Sequence, residues 1–536
     1  MIIIMKVIFK CLLVLCFLSF SLCEDDGLFF GVATAAYQIE GATDVDGRGQ
    51  TIWDEFVKLP GKIANNDTGD TADLSYFQYN DDIQLMKQIG VQMYRFSLAW
   101  SRIIPEGVGQ VNEAGINHYN DVIDALLDAG ITPVITLYHW DMPLALEQEY
   151  KGWLDTRIEE AFVAFADVCF SAFGNRVKTW ITVNEPLTFA LHGYGTGVHA
   201  PGRCSDRTRC SSGDTSRESY IVAHNVLNAH AAVVELYRTQ YAWQGGQIGI
   251  TLNIDWAYPL TSTKENIDAA SRRNEFSFAW FGDPVFRGKY PDSMVKLVGD
   301  RLPTFTADQQ RRLIGSTDFI GFNHYSSWYA SEFEADEGVG VGGWDMDQRV
   351  VTSKRDVEGN LIGPQGGSIW LNMVPKGIYD ALSWVSRRYG SPKIYITENG
   401  CDILGESEMS FPDVLNDTFR IEYYESYLRE VLRAKSSGVN VKAYFAWSLL
   451  DNFEWSDGYS KRFGLFYVDY RVSTRPRFPK RSAFWYKDYI RRYQIQLYHQ
   501  PKTNHDADIS WLRYLHGAYK EEFKSTSVLG ALYTVP

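Results

Sequence analysis

The chain has 536 residues, a formal net charge of −14 and a pI near 5.3. That acidity argues against nucleic acid or an anionic membrane as partner. With 45% hydrophobic and 15% aromatic residues it can bury a large core, and α/β barrels of this length form one domain.

The first residues read as a targeting segment. Lys6 and Lys10 bracket a positive start, Cys11 to Leu22 is apolar or small, and Ser21-Leu22-Cys23 precedes the acidic Glu24-Asp25-Asp26. This pattern predicts a signal peptide over 1–23, cleaved after Cys23. Ile2-Ile3-Ile4 leaves a retained signal anchor as the alternative. No second long apolar run follows, and the end, Tyr533-Thr-Val-Pro536, carries no retention signal. The expectation is a soluble protein, secreted or in the lumen of the secretory or vacuolar route.

Beyond the leader, apolar strand-like runs alternate with amphipathic stretches. The strands are predicted at Phe29–Ala35, Met93–Leu98, Thr132–Tyr138, Thr179–Val183, Ile248–Ile254, Phe319–Phe322, Lys393–Thr397 and Lys442–Trp447. Between them lie helical patterns such as Ile116–Ala129, Ile158–Phe173, Ser219–Tyr237 and Arg420–Lys435. This alternation predicts an α/β fold, a single (β/α)8 barrel over 24–497 with long strand-to-helix loops. One such long loop lies between Ser326 and Trp370, a stretch rich in Gly and Asp. Residues 498–536 form a C-terminal extension whose role stays open.

Once the leader is gone, Cys169, Cys204, Cys210 and Cys401 remain. Cys204 and Cys210 flank a polar loop, Ser205-Asp-Arg-Thr-Arg209, where a bridge fits an oxidising compartment. Cys169 sits in a helical pattern and reads as a buried small hydrophobe. No clustered Cys/His spacing suggests a metal. Asn66-Asp-Thr68 and Asn416-Asp-Thr418 are glycosylation sequons.

Two segments carry the chemistry: Thr182-Val-Asn-Glu-Pro186 and Ile394-Tyr-Ile-Thr-Glu-Asn-Gly400. Each is a β-branched apolar run ending abruptly in a glutamate, beside Asn and a residue that stops a strand. A carboxylate at the tip of a buried strand is costly to keep for stability alone. One such glutamate is often half of a structural ion pair. Two, from separate strands, suggest paired carboxylates aimed at one substrate, as glycoside hydrolysis requires.

Both segments resemble the paired signatures of the family one glycoside hydrolases, the β-glucosidase family, and the resemblance runs from Phe29 to about Tyr493. It implies that Glu185 is the acid/base and Glu398 the nucleophile. Arg95, in Tyr94-Arg-Phe-Ser97, and Tyr325, in Phe322-Asn-His-Tyr325, are then expected to face Glu398 and favour its ionised form. Gln38, His139, Trp140 and Asn184 match residues that hold the sugar's 2-, 3- and 4-hydroxyls. Trp447 matches the platform under the ring, and Glu454 and Trp455 match the readers of the 4- and 6-hydroxyls. Trp370 matches a wall of the aglycone side. Plant members carry a bridge after a segment like Pro201-Gly-Arg-Cys204.

The resemblance implies no cofactor and a small β-glucoside or short oligosaccharide as partner, with the oligomeric state open. It leaves thioglucosidase, β-galactosidase, β-fucosidase and transglucosidase readings as alternatives, and more remotely a catalytically silent sugar-binding or receptor-associated member. A carboxylate at Glu454 would repel a 6-phosphate. Glu185 counts against the plant thioglucosidases that carry Gln there. His324 stands where many relatives have Tyr, and the lead-in Gly27-Leu-Phe-Phe30 is shorter than usual.

Overall fold

A computed structural model describes residues 27–333 and 342–499. The expected leader over 1–23 and most of the C-terminal extension lie outside the described residues. The chain divides into two compact units, through Lys487 and from Asp488. The described part of the second is the end of a helix spanning Arg481–His499.

The first unit is built on a closed barrel of eight parallel strands. They are β1 (Phe29–Ala33), β2 (Met93–Ser97), β3 (Thr132–Tyr138), β4 (Thr179–Asn184), β5 (Gln247–Asn253), β6 (Ile320–Asn323), β7 (Ile394–Asn399) and β8 (Val441–Trp447). Each lies within a residue or two of the run predicted for it. Every residue of β2, β4 and β7 is buried, because barrel strands face side chains inside and helices outside. This explains why they read as continuous apolar runs rather than alternating ones. β1 stops at Ala33, two residues before the predicted end, because a short buried helix, Ala36–Ile39, takes over and carries Gln38.

The surrounding helices show the expected spacing. The helix Glu113–Asp128 is capped by Asn112, whose side chain accepts from the Ala114 amide, and it buries Ile116, Tyr119, Val122, Ile123 and Leu126. The helix Arg157–Phe173 buries Ile158, Ala161, Phe162, Phe165, Ala166, Cys169, Phe170 and Phe173 at intervals of three and four. Cys169 is therefore a core residue. Cys204 and Cys210 are joined by a disulfide. Asn66 and Asn416 are both exposed.

The stretch after Ser326 is not a plain loop. Ser327–Glu332 pairs with Trp256–Pro259 in parallel and with Val350–Ser353 antiparallel, making a small separate sheet. Its strands are short and half-exposed, so they carry little periodic signal.

The loop that follows β8 is anchored by buried charge. Arg420 pairs with Glu406 at 2.8 Å and Asp417 at 2.6 Å. Lys480 pairs with Glu406 at 2.9 Å and Asp451 at 2.7 Å, and Arg462 with Asp451 at 2.7 Å. Burial pushes the Asp451 carboxyl up, but Lys480 and Arg462 outweigh it and hold it below the usual carboxylate range. Asp451 opens the segment that carries Glu454 and Trp455, so these pairs fix the loop on the pocket side. Lys480→Met leaves Glu406 and Asp451 short of a buried cation and is expected to destabilise the fold by about 3–5 kcal/mol. Denaturant unfolding checks this, and a loss below about 1 kcal/mol would show that the network is not holding the loop.

Candidate active site

The strands deliver their polar residues to one end of the barrel, the end where chains leave the strands. Both glutamate strands lose regular register just before delivery. β4 slips against β5 between Ile181 and Asn184, and β7 slips against β6 between Ile396 and Glu398. Such irregularities re-aim side chains at a strand's end. A Cβ at Gly400 would collide with the carbonyl of Trp447, so only glycine lets the chain leave β7 this close to β8. Glu185, Trp140 and Trp455 all hold positive φ, at 46°, 76° and 52°. Non-glycine residues adopt that region at a cost, and three in one site mark a geometry that the surrounding packing enforces.

Arg95 is the hub. Its side chain is fully buried, and its Nη1 donates to Glu398 Oε1 at 2.5 Å and to the Thr397 carbonyl at 3.2 Å. Nη2 donates to Asn184 Oδ1 at 2.6 Å, and Nε to Thr136 Oγ1 at 3.2 Å. Tyr325 donates its hydroxyl to the other oxygen of Glu398 at 2.6 Å. Burial and the facing Glu398 raise the Tyr325 hydroxyl well above its ordinary value, so it stays a donor.

Glu185 has a different environment. It is buried, and its carboxyl is pushed up to about 8, first by burial and then by the charge of Glu398. Its Oε1 accepts from Asn323 Nδ2 at 2.7 Å and its Oε2 from the Thr188 hydroxyl at 2.8 Å. Asn323 and Thr188 were not among the residues expected from sequence. Asn323 lies inside the segment that yields Tyr325, and Thr188 lies one helical turn past Glu185.

His139 is neutral, because burial and then Arg95 lower its pKa well below the ordinary value. Asn184 spends its oxygen on Arg95 and donates Nδ2 to His139 Nε2 at 3.0 Å, so the imidazole proton sits on Nδ1. His139 Nδ1 and Gln38 Oε1 are both buried without a protein partner. Gln38 directs its Nε2 at Asn452 Oδ1 and the Phe453 carbonyl, both at 2.9 Å, with Glu454 Oε2 at 3.3 Å. The Glu454 carboxyl stands well above its ordinary value through burial, Asp457, Asp402 and Glu398.

The aromatic residues form a continuous wall. Trp455 packs against Trp140 at 4.6 Å and Trp53 at 4.7 Å and stacks on Tyr37 at 6.3 Å. His139 stacks near Trp447 and Trp455, each at 6.0 Å. Trp140 donates its indole N–H to the Asn184 carbonyl at 2.9 Å. Trp370 is half-buried, edge-on to Tyr325 at 5.8 Å and stacked on Phe463 at 6.4 Å. His324 is buried with Nδ1 on the Ile254 carbonyl at 2.7 Å, and burial lowers it to about 4. The catalytic and sugar-contacting residues expected from sequence are thus linked to one another by hydrogen bonds and ring contacts. Among the described residues no group of three His, Cys, Asp or Glu could hold a metal ion, and no helix is long and apolar enough to cross a membrane.

Two strand-end glutamates at the mouth of a parallel barrel, one paired with a cation and one raised by burial, suit glycoside hydrolysis. Residues 24–495 match glycosyl hydrolase family 1. The chain is 49% identical to β-glucosidase 6 of rice, Oryza sativa subsp. japonica, over 86% of this chain and 89% of that one. A solved structure of a rice β-glucosidase variant in a covalent complex with Glc aligns at a TM-score of 0.84 and 48% identity, covering 86% of this chain and 97% of that one. A family one β-glucosidase from the fungus Humicola insolens in complex with glucose aligns at 0.84 and 46%, over 87% and 98%. The chain belongs to glycosyl hydrolase family 1.

The raised carboxyl of Glu185 has a consequence for stability. Its folded value of about 8 lies above the ordinary 4.5, so the stability of the protonated form is complete below about pH 4.5 and lost as pH rises through about 8. Glu185→Gln keeps an acceptor for Asn323 and removes the charge. Its stability relative to wild type should therefore increase from pH 5 to pH 8.5, by at least about 1 kcal/mol. Unfolding curves at the two pH values check this, and an unchanged difference would place the Glu185 carboxyl near its ordinary value.

Proposed function

We propose that this protein is a retaining β-glucosidase that releases terminal non-reducing β-D-glucosyl residues from aryl or alkyl glucosides or short oligosaccharides by double displacement. One observation carries the mechanism: two carboxyls sharing a site have opposite environments. Glu398 is gripped by Arg95 and by the Tyr325 hydroxyl, which suits an ionised nucleophile attacking the anomeric carbon. Glu185, raised to about 8, suits a group that enters the reaction protonated. It gives its proton to the glycosidic oxygen as the leaving group departs. It then takes a proton from the water that cleaves the glucosyl ester on Glu398. The covalent Glc complex of the rice relative supports a two-step path.

The sugar contacts follow from unspent hydrogen-bonding capacity. Gln38 Oε1 is an acceptor and His139 Nδ1–H a donor, each buried with no protein partner, and they suit neighbouring ring hydroxyls. Asn184, fixed by Arg95, suits the 2-hydroxyl, where a hydrogen bond strengthens as positive charge builds at the anomeric carbon. Trp447 is the platform beneath the ring. Glu454, 3.3 Å from Gln38 Nε2 and beside Trp455, offers its carboxyl to the 4- and 6-hydroxyls. Asp457 and Asp402 near it disfavour a 6-phosphate. Trp370, set against Tyr325, lines the path of the leaving group.

A secretory route is supported by the 1–23 pattern, the Cys204–Cys210 disulfide and exposed sequons at Asn66 and Asn416.

Product stereochemistry in two variants tests the roles. Glu185→Gly should slow turnover of a poor-leaving-group glucoside by about 10²–10⁴-fold. With a dinitrophenyl β-glucoside and azide it should give the β-glycosyl azide, because the intermediate still forms on Glu398. Glu398→Gly with azide should give the α-glycosyl azide by direct displacement. The same anomer from both variants, identified by proton NMR, would contradict the assignment.

A further inference from the structure

The two oxygens of Glu185 meet donors of different kinds. Oε1 accepts from Asn323 Nδ2 at 2.7 Å. That amide is locked, because its Oδ1 accepts from the Thr397 hydroxyl at 2.7 Å while its Nδ2 also lies 3.2 Å from Asn184 Oδ1. Turning it over would set its oxygen against two others. An amide nitrogen cannot accept a proton, so a hydrogen on Oε1 would be driven into an N–H.

Oε2 instead meets the hydroxyl of Thr188 at 2.8 Å. Thr188 lies on the short helix Pro186–Leu191 and is half-buried. Its Oγ1 accepts from Asn253 Nδ2 at 3.0 Å, and Asn253 ends β5. A hydroxyl differs from an amide because its hydrogen rotates and its oxygen both donates and accepts.

We propose that Thr188 is a positioning residue that makes Oε2 the proton-carrying oxygen of Glu185. The hydroxyl, steadied by Asn253, donates to Oε2 while Glu185 is a carboxylate and turns its hydrogen aside when Oε2 is protonated. Both proton transfers then run through one oxygen: donation to the glycosidic oxygen in the first step, and acceptance from water in the second. This rests on the reading of Glu185 as the acid/base. The charged and titratable groups facing Glu185 are Glu398, Arg95 and Tyr325, and none of them bonds to Thr188 in the structure. A change at Thr188 therefore acts on Glu185 through one hydrogen bond.

Thr188→Val keeps the shape and deletes the hydroxyl, and Thr188→Ser keeps the hydroxyl. The basic limb of the kcat/KM profile with nitrophenyl β-glucoside reports the acid form of the free enzyme. Loss of a hydrogen bond to the carboxylate should move that limb upward by about one pH unit in Thr188→Val. Thr188→Ser should return it to the wild-type position. At neutral pH the valine variant should also lose several-fold more kcat/KM on an alkyl glucoside than on a dinitrophenyl glucoside, whose departure needs no acid. A valine limb that coincides with wild type, or a serine limb displaced as far as valine's, would overturn the proposal. Glu185→Gly with azide separates the two readings. If no β-glycosyl azide forms, the acid/base reading falls and Thr188 loses its role with it. If the azide forms and the valine limb has not moved, the Thr188 proposal alone falls.

Discussion

The site depends on one buried cation. Arg95 is held with no exposed surface, and an unpaired guanidinium there would cost several kcal/mol. Its donors reach residues on β3, β4 and β7, so the charge is satisfied only when those strand ends converge. One of its partners is Glu398 and another is Asn184, the neighbour of Glu185. Asn184 then connects to His139 and Asn323, and Asn323 to Glu185. The geometry of both carboxyls is therefore set by strand termini and a buried hydrogen-bond network rather than by flexible loops. Preorganisation of this kind costs nothing at the moment of reaction.

Around that network the protein treats its carboxyls unequally. Glu398 accepts from a cation and a phenol, whereas Glu185 accepts from neutral donors and feels the charge of Glu398. Glu454 is raised by burial and by the neighbouring acids Asp457 and Asp402. The aromatic residues Trp455, Trp140, Tyr37 and Trp53 are buried with these polar groups, and a low local dielectric strengthens electrostatic contacts there. The buried pairs around Asp451 and Lys480 anchor the start of the segment carrying Glu454.

Much of this was legible in the sequence because a buried barrel strand leaves a strong local record. Thr179–Val183 and Lys393–Thr397 are β-branched runs cut short by Asn, Glu and Pro or Gly, and the break marks where the chain leaves the sheet. What stayed hidden depends on long-range contact. Nothing local shows that Asn323 would meet Glu185 across the barrel, or that Thr188 would turn back onto it from the next helical turn. The upward shift of the Glu454 carboxyl follows from burial and from acids brought near by folding, and the sequence records only its identity. The small sheet around Ser327–Glu332 escaped notice because its half-exposed strands need a partner from Trp256–Pro259 to exist at all.

The central claim is that Glu398 becomes covalently bonded to the sugar while Glu185 does not. A 2-deoxy-2-fluoro-β-glucoside with a dinitrophenyl leaving group slows both steps but lets the first one run, so the glycosyl enzyme accumulates. Intact-mass measurement followed by peptide mapping should find one fluoroglucosyl group on the peptide spanning 394–400, at Glu398. A label on the peptide containing Glu185, or inactivation with no added mass, would contradict the account.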